Sequence, residues 1–265
     1  MLASLSSFKS RQDKVEKIVS HPMLPLYVTG NELLTLWQFN RQESLQDFAT
    51  SSSTTSKIVS LKFNSFGDKL GACDQQGNFY LYKFDLQPTS FQPQLTLKNF
   101  SGLKASNFCF LNLGSVIATI GHKPKDFLSI YDTLLPPNRP PIHTENIGGK
   151  MICFLSRYQQ LILTGKKGKL IRYDLRMREV VETFESKHEN ISDLKLGPNE
   201  ITFVTGGTEG MVKIWDARGS SLREIIDVGK KNVKNKGISQ IECIDNSLFV
   251  STQDGTVKLL RIIQQ

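Results

Sequence analysis

An all-β chain of repeated small sheets, a β-propeller, is the fold class this sequence predicts, and three observations predict it. Six segments follow one pattern: an apolar strand, a turn, a second strand ending in a small residue, a polar turn, and a third strand ending in an aromatic or apolar anchor. The anchors are Trp37, Tyr82, Tyr131, Tyr173, Trp215 and Leu260, at steps of 45, 49, 42, 42 and 45 residues. Four of the turns between second and third strands (QQGN, KKGK, TEGM and QDGT) are short and contain glycine, as hairpins needing positive φ require. A period near about 40–45 residues is that of a four-stranded blade, and a single blade cannot bury its own faces, so blades must stack around an axis.

The elements follow in order. The fifth segment is clearest, with strands at 190–196, 201–207 and 211–216. The first segment covers 17–39, the second 57–84, the third 106–132, the fourth 150–175 and the sixth 238–262. Alternation at Leu61 and Phe63, and at Val212 and Ile214, has the period of two that marks strands. The longest step absorbs an insert at 122–127 and a loop around 88–93, and the run PPNRPP at 136–141 punctuates the chain. Outer fourth strands are expected at 45–49, 95–98, 180–184 and 222–227. The last segment has no room for one, and residues 2–8 are the candidate to latch that edge. The expectation is an N-terminal segment at 1–14 and a six-bladed propeller at 15–265, with a distorted seven-bladed ring as the alternative.

Hydrophobic residues make up 39% and charged residues 22%, a globular composition. No apolar run approaches the ~20 residues of a spanning helix, and residues 1–14 lack the apolar core of a secretory signal. Cys73, Cys109, Cys153 and Cys243 lie far apart in apolar runs, which suits reduced, buried thiols rather than a disulfide framework or a zinc site. The net charge of +8 favours acidic partners, whether a protein face, an anionic membrane or nucleic acid.

In the fifth segment His188, Thr205, Glu209 and Trp215 hold the positions of the internal network of a WD repeat, with Glu where Asp is usual. A buried indole N–H needs an acceptor, so His188 reads as structural rather than catalytic. His21, His122 and His143 have no metal-ligand spacing. The glycine-rich stretches TGKKGK and TGGTEG open no helix and so form no phosphate loop, and no nucleophile–base set is identifiable. Binding, without a cofactor, is expected rather than catalysis.

The turns between second and third strands share one face of a propeller with the loops between blades. These elements carry Lys123 and Lys125, then Lys166, Lys167 and Lys169, then Lys230, Lys231, Lys234 and Lys236, a candidate basic face for an acidic partner. The endings Trp215-Asp216-Ala217-Arg218 and Tyr173-Asp174-Leu175-Arg176 give a rival expectation. They resemble the box by which some propellers dock onto cullin-type ubiquitin ligases, through Asp216, Arg218, Asp174 and Arg176.

SHPMLPLYVTG, FNSFGDKLGACDQQGNFYLY, ATIGHKPKDFLSIYDTLLPP, QQLILTGKKGKL, EITFVTGGTEGMVKIWD and LFVSTQDGTVKL together resemble the C-terminal propeller of the DmX-like, or rabconnectin, family, from about Val15 to Leu260. The third-segment insert with its aromatic-Asp-Thr-Leu ending is the most specific part. The resemblance implies a scaffold that promotes assembly of the vacuolar-type proton ATPase. Its partners would be pump subunits or other scaffold subunits, with weak anionic membrane contact and no specific nucleic acid. Its place would be the cytoplasmic side of endosomal or vacuolar membranes. Members of that family are far longer, so the implication covers the propeller alone.

Overall fold

The computed structural model describes residues 15–39, 41, 43–49, 56–84, 98–100, 105–121, 127–136, 139–197, 200–228, 237–244 and 247–261. Among these, every regular element but three single-turn 3₁₀ segments is a strand, and the strands form six antiparallel sheets. The chain divides into two units, 1–146 and 147–265.

The first unit holds three sheets. The first is β1 (Lys17–Ser20), β2 (Leu26–Gly30), β3 (Leu33–Gln38) and β4 (Gln46–Ala49). The second is β5 (Ile58–Phe63), β6 (Lys69–Asp74), β7 (Phe79–Lys83) and β8 (Lys98–Phe100). The third is β9 (Ala105–Leu111), β10 (Val116–Gly121), β11 (Leu128–Asp132) and β12 (His143–Glu145). Val28, Leu34, Leu36, Phe48, Leu70 and Tyr82 fill the space between the first two sheets. Cys73, Phe79, Phe108, Ile117 and Tyr131 fill that between the second and third.

The second unit holds the other three. The fourth sheet is β13 (Ile152–Leu155), β14 (Gln160–Thr164), β15 (Lys169–Asp174) and β16 (Glu179–Glu185). The fifth is β17 (Ile191–Leu196), β18 (Thr202–Gly207), β19 (Met211–Asp216) and β20 (Leu222–Asp227). The sixth is β21 (Ile238–Ile244), β22 (Ser247–Thr252) and β23 (Val257–Arg261). Here too the core lies between sheets: Leu155, Leu170, Phe203 and Trp215 between the fourth and fifth, and Val204, Val212, Ile238 and Leu248 between the fifth and sixth.

Each anchor sits on a third strand, and the four turn glycines Gly77, Gly168, Gly210 and Gly255 all have positive φ. Third strands in the middle sheets are buried on both faces, as β19 shows, because a neighbouring sheet packs on each side. The expected fourth strands at 45–49, 180–184 and 222–227 coincide with β4, β16 and β20. For 95–98 the strand begins at Lys98, and 95–97 lie outside the described residues. Sequence reading missed β12, which follows the PPNRPP run and is three residues long, too short for a periodicity signal. The latch expected at 2–8 lies outside the described residues.

Candidate interaction surfaces

Antiparallel order puts the turns of each sheet at two ends. The turns joining first to second and third to fourth strands lie at one end. The turns joining second to third strands lie at the other, with the links between sheets. Exposed residues lie on these turns and on the outer strands β16 and β20, whereas inner strands such as β18 and β19 are packed.

The frame beneath them is clearest in the fifth sheet. Trp215 Nε1–H donates to Thr205 Oγ1 at 2.9 Å, and the Thr205 hydroxyl lies 2.9 Å from His188 Nε2. Because the hydroxyl accepts from the indole, it donates to Nε2, which leaves Nδ1–H of His188 to donate to Glu209. The glutamate is one methylene longer than aspartate. It fits because residue 207 is glycine: a Cβ there would lie 2.2 Å from Glu209 Oε1. Burial lowers the His188 pKa below its ordinary value, with Glu209 opposing that shift. The first sheet repeats half of this arrangement, with Trp37 Nε1–H donating to Thr29 at 2.9 Å. The shared signal is the strand ending Val-Thr-Gly at 28–30 and 204–206.

The two Asp-x-Arg turns are built alike. Asp174 Oδ1 accepts from the backbone N–H of Arg176 at 2.8 Å, and Asp216 Oδ1 from that of Arg218 at 2.7 Å. Arg176 Nη2 also reaches Asp174 at 3.3 Å. Asp216 takes two bonds from Arg223, at 3.1 and 2.5 Å, which with the Arg218 N–H hold its carboxyl down at about 2. The aspartates are thus occupied inside the turns, while the Arg176 and Arg218 guanidinium groups stay exposed. Arg172 was not singled out from sequence. It is buried and donates to the carbonyls of Ala217 at 2.8 Å and Arg218 at 2.7 Å, pinning the turn that presents Arg218. Its signal is a charge in mid-strand, one residue before the anchor, where the fifth segment has Ile214.

Of the lysines, Lys166, Lys167 and Lys169 lie exposed on the β14–β15 turn and the start of β15. Lys187, exposed in the β16–β17 link, belongs to the same end and was missed as an isolated charge. Glu185 lies opposite Lys169 in register, so this end mixes signs. Lys123, Lys125, Lys230, Lys231, Lys234 and Lys236 lie outside the described residues. The four cysteines are free thiols, and burial pushes Cys109 up to about 12 and Cys243 to about 11.

A family profile described as WD domain, G-beta repeat matches residues 178–216. The solved structure of U3-55K superimposes with a TM-score of 0.76 over 96% of this chain and 79% of that one, at 12% identity. That likeness speaks for the fold alone, a β-propeller, and the six sheets are its blades. DmX-like protein 1 of Mus musculus is 29% identical over 265 residues, 95% of this chain. The chain is a WD-repeat protein related to the DmX-like proteins. The human DmX-like protein 1 is 28% identical over a similar stretch. This WD-repeat chain spans 9% of the length of either relative. Pre-mRNA-processing factor 19 of Caenorhabditis elegans is 33% identical over 69 residues, 26% of the chain. WD-repeat propellers typically serve as non-enzymatic interaction scaffolds, with their turns and loops as the working surface.

Proposed function

We propose that this chain is the protein-docking propeller of a scaffold that assembles the vacuolar-type proton ATPase on endosomal or vacuolar membranes. One observation carries the reading: the likeness to DmX-like protein 1 runs over 95% of the chain rather than over one repeat. The hydrogen-bonded strand ends support a binding role, since they hold the turns rigid and reduce the ordering cost of association. The lysine-bearing end is the proposed contact for an acidic subunit. Capture on the immobilised chain from native cytosol and membranes, followed by identification of bound proteins, tests the reading. Pump subunits are the expected result. Cullin-ligase adaptors in their place, lost on Arg218→Ala and Arg176→Ala, would overturn it.

A further inference from the structure

The turn between β1 and β2, His21-Pro22-Met23-Leu24-Pro25, hangs on one titratable atom. Its two prolines have no N–H to donate. The His21 N–H donates to Leu26 O at 2.8 Å. The remaining donors, the N–H groups of Met23 and Leu24, both end on His21 Nδ1, at 3.0 and 2.9 Å. Backbone N–H groups only donate, so Nδ1 carries a lone pair and the ring proton sits on Nε2. Nε2–H donates to Gly67 O at 3.1 Å, in the β5–β6 turn of the next sheet. The imidazole thus ties two turns together, and it does so as the neutral ring.

The two sides of the ring respond differently to acid. A second proton must sit on Nδ1, where it turns the acceptor into a donor facing two donors. The N–H groups of Met23 and Leu24 then lose their acceptor together, which is costly away from water. The Gly67 side keeps its bond, because Nε2–H is present in both states. The ring is also boxed in: a Cβ at Gly67 would lie 2.1 Å from it, and Phe63 packs edge-on at 5.0 Å. Release therefore falls on the turn, which carries the exposed Met23 and rests Leu24 on the core between the first two sheets. His188, also buried, has no such conflict, since its Nδ1 faces the Glu209 carboxylate.

The charged groups on the elements packed against the ring are turned elsewhere. Lys62 Nζ donates to Asn107 Oδ1 and Phe108 O, and Lys69 Nζ to Gly114 O and Thr133 Oγ1. Asp68 Oδ1 accepts from Asn64 at 2.6 Å, and Lys83 is exposed. Asp85, which follows Phe84, lies outside the described residues. A charge there would move the pH of release without relieving the conflict at Nδ1. Burial lowers the pKa of His21 below its ordinary 6.5, and the Gly67 bond opposes that shift. The tie is therefore closed above that pH and opens as the pH falls beneath it.

We propose that His21 is a proton-sensitive clasp: neutral, it holds the Met23–Leu24 turn; protonated, it keeps Gly67 and lets that turn go. Acid thereby reshapes one turn while the sheets stay folded. The proposal is independent of the pump reading.

The test is nitrogen-15 NMR on the whole chain from pH 7.5 to 5. At pH 7.5 the His21 ring should show a bare Nδ1 and a protonated Nε2. As the ring titrates, hydrogen-exchange protection of the Met23 and Leu24 amides, corrected for the intrinsic rate, should fall at least tenfold. The Val28 and Val250 amides, in β2 and β22, should keep theirs. His21→Asn offers an oxygen acceptor that does not titrate, so its Met23 and Leu24 protection should stay level over the same range. If His21→Asn fails to fold by circular dichroism, His188→Asn replaces it and must leave the wild-type transition in place. A proton on Nδ1 at pH 7.5, or no His21 titration above pH 5, overturns the proposal. So does protection that survives the titration, falls equally in His21→Asn, disappears with His188→Asn, or is lost together with that of Val28 and Val250.

Discussion

At the residue scale, the chain's polar interior works through bonds that a single atom can break. Thr205 both accepts from Trp215 and donates to His188, so Thr205→Val strands two buried groups at once. Each costs about 1–3 kcal/mol, and the melting temperature should fall by several degrees in a thermal scan. Gly67 is a second such point. Its φ of +76 suits glycine, and a Cβ there would lie 2.1 Å from the His21 ring. Gly67→Ala should therefore cost more than about 1 kcal/mol, measurable by urea denaturation. Both His21 and His188 have pKa values lowered by burial from the ordinary 6.5. Below about 6.5 the unfolded chain takes up protons that the folded chain refuses. Stability is thus full above that pH and declines as the pH drops beneath it. Melting temperatures at pH 7.5 and 5.5 should show this loss, and His21→Asn with His188→Asn should flatten it.

At the element scale, the sixth sheet differs from the others. Its third strand, β23, alternates between exposed and half-buried residues, whereas β19 of the neighbouring sheet is buried along nearly its whole length. Leu259 is 59% exposed, while Ile214 at the matching position before the anchor is 3% exposed. The difference is that β19 lies in a sheet packed on both faces by its neighbours, whereas within the second unit the sixth sheet packs against the fifth on one face, and its described residues give it three strands. Ile214→Lys should bury an unpaired charge and unfold or severely destabilise the chain, whereas Leu259→Lys should change stability by less than about 1 kcal/mol. Chemical denaturation of the two variants checks the contrast. The residue pattern alone did not show it, because both strands carry alternating apolar and basic residues, Val-Lys-Ile at 212–214 and Val-Lys-Leu at 257–259.

At the scale of the whole molecule, the net charge of +8 makes electrostatic capture of an acidic partner sensitive to ionic strength. Raising salt shortens the Debye length from about 30 Å at 0.01 M to about 8 Å at 0.15 M. Association of the lysine-bearing end with the proposed acidic partner should weaken over that range, and Lys166→Glu/Lys167→Glu/Lys169→Glu should remove much of the salt dependence in a surface-binding assay. A salt-independent association would leave that end without a role.

The repeat, its anchors and its glycine turns were legible in the chain, because strand period, turn chemistry and the spacing of large apolar residues are local properties written every 42–49 residues. The four members of the fifth-sheet network were also readable, since their positions within a repeat are set by strand length. Folding alone decided the rest. It brought Arg172 under the Arg218 turn and His21 under Gly67, each across 46 residues or so, by packing one sheet against the next. It also set Met23, Phe66, Leu113 and Leu134, which belong to turns of three different sheets, at the same strand ends of the first unit. Such neighbours belong to different repeats, and their meeting depends on how sheets stack, which no periodicity within a strand records.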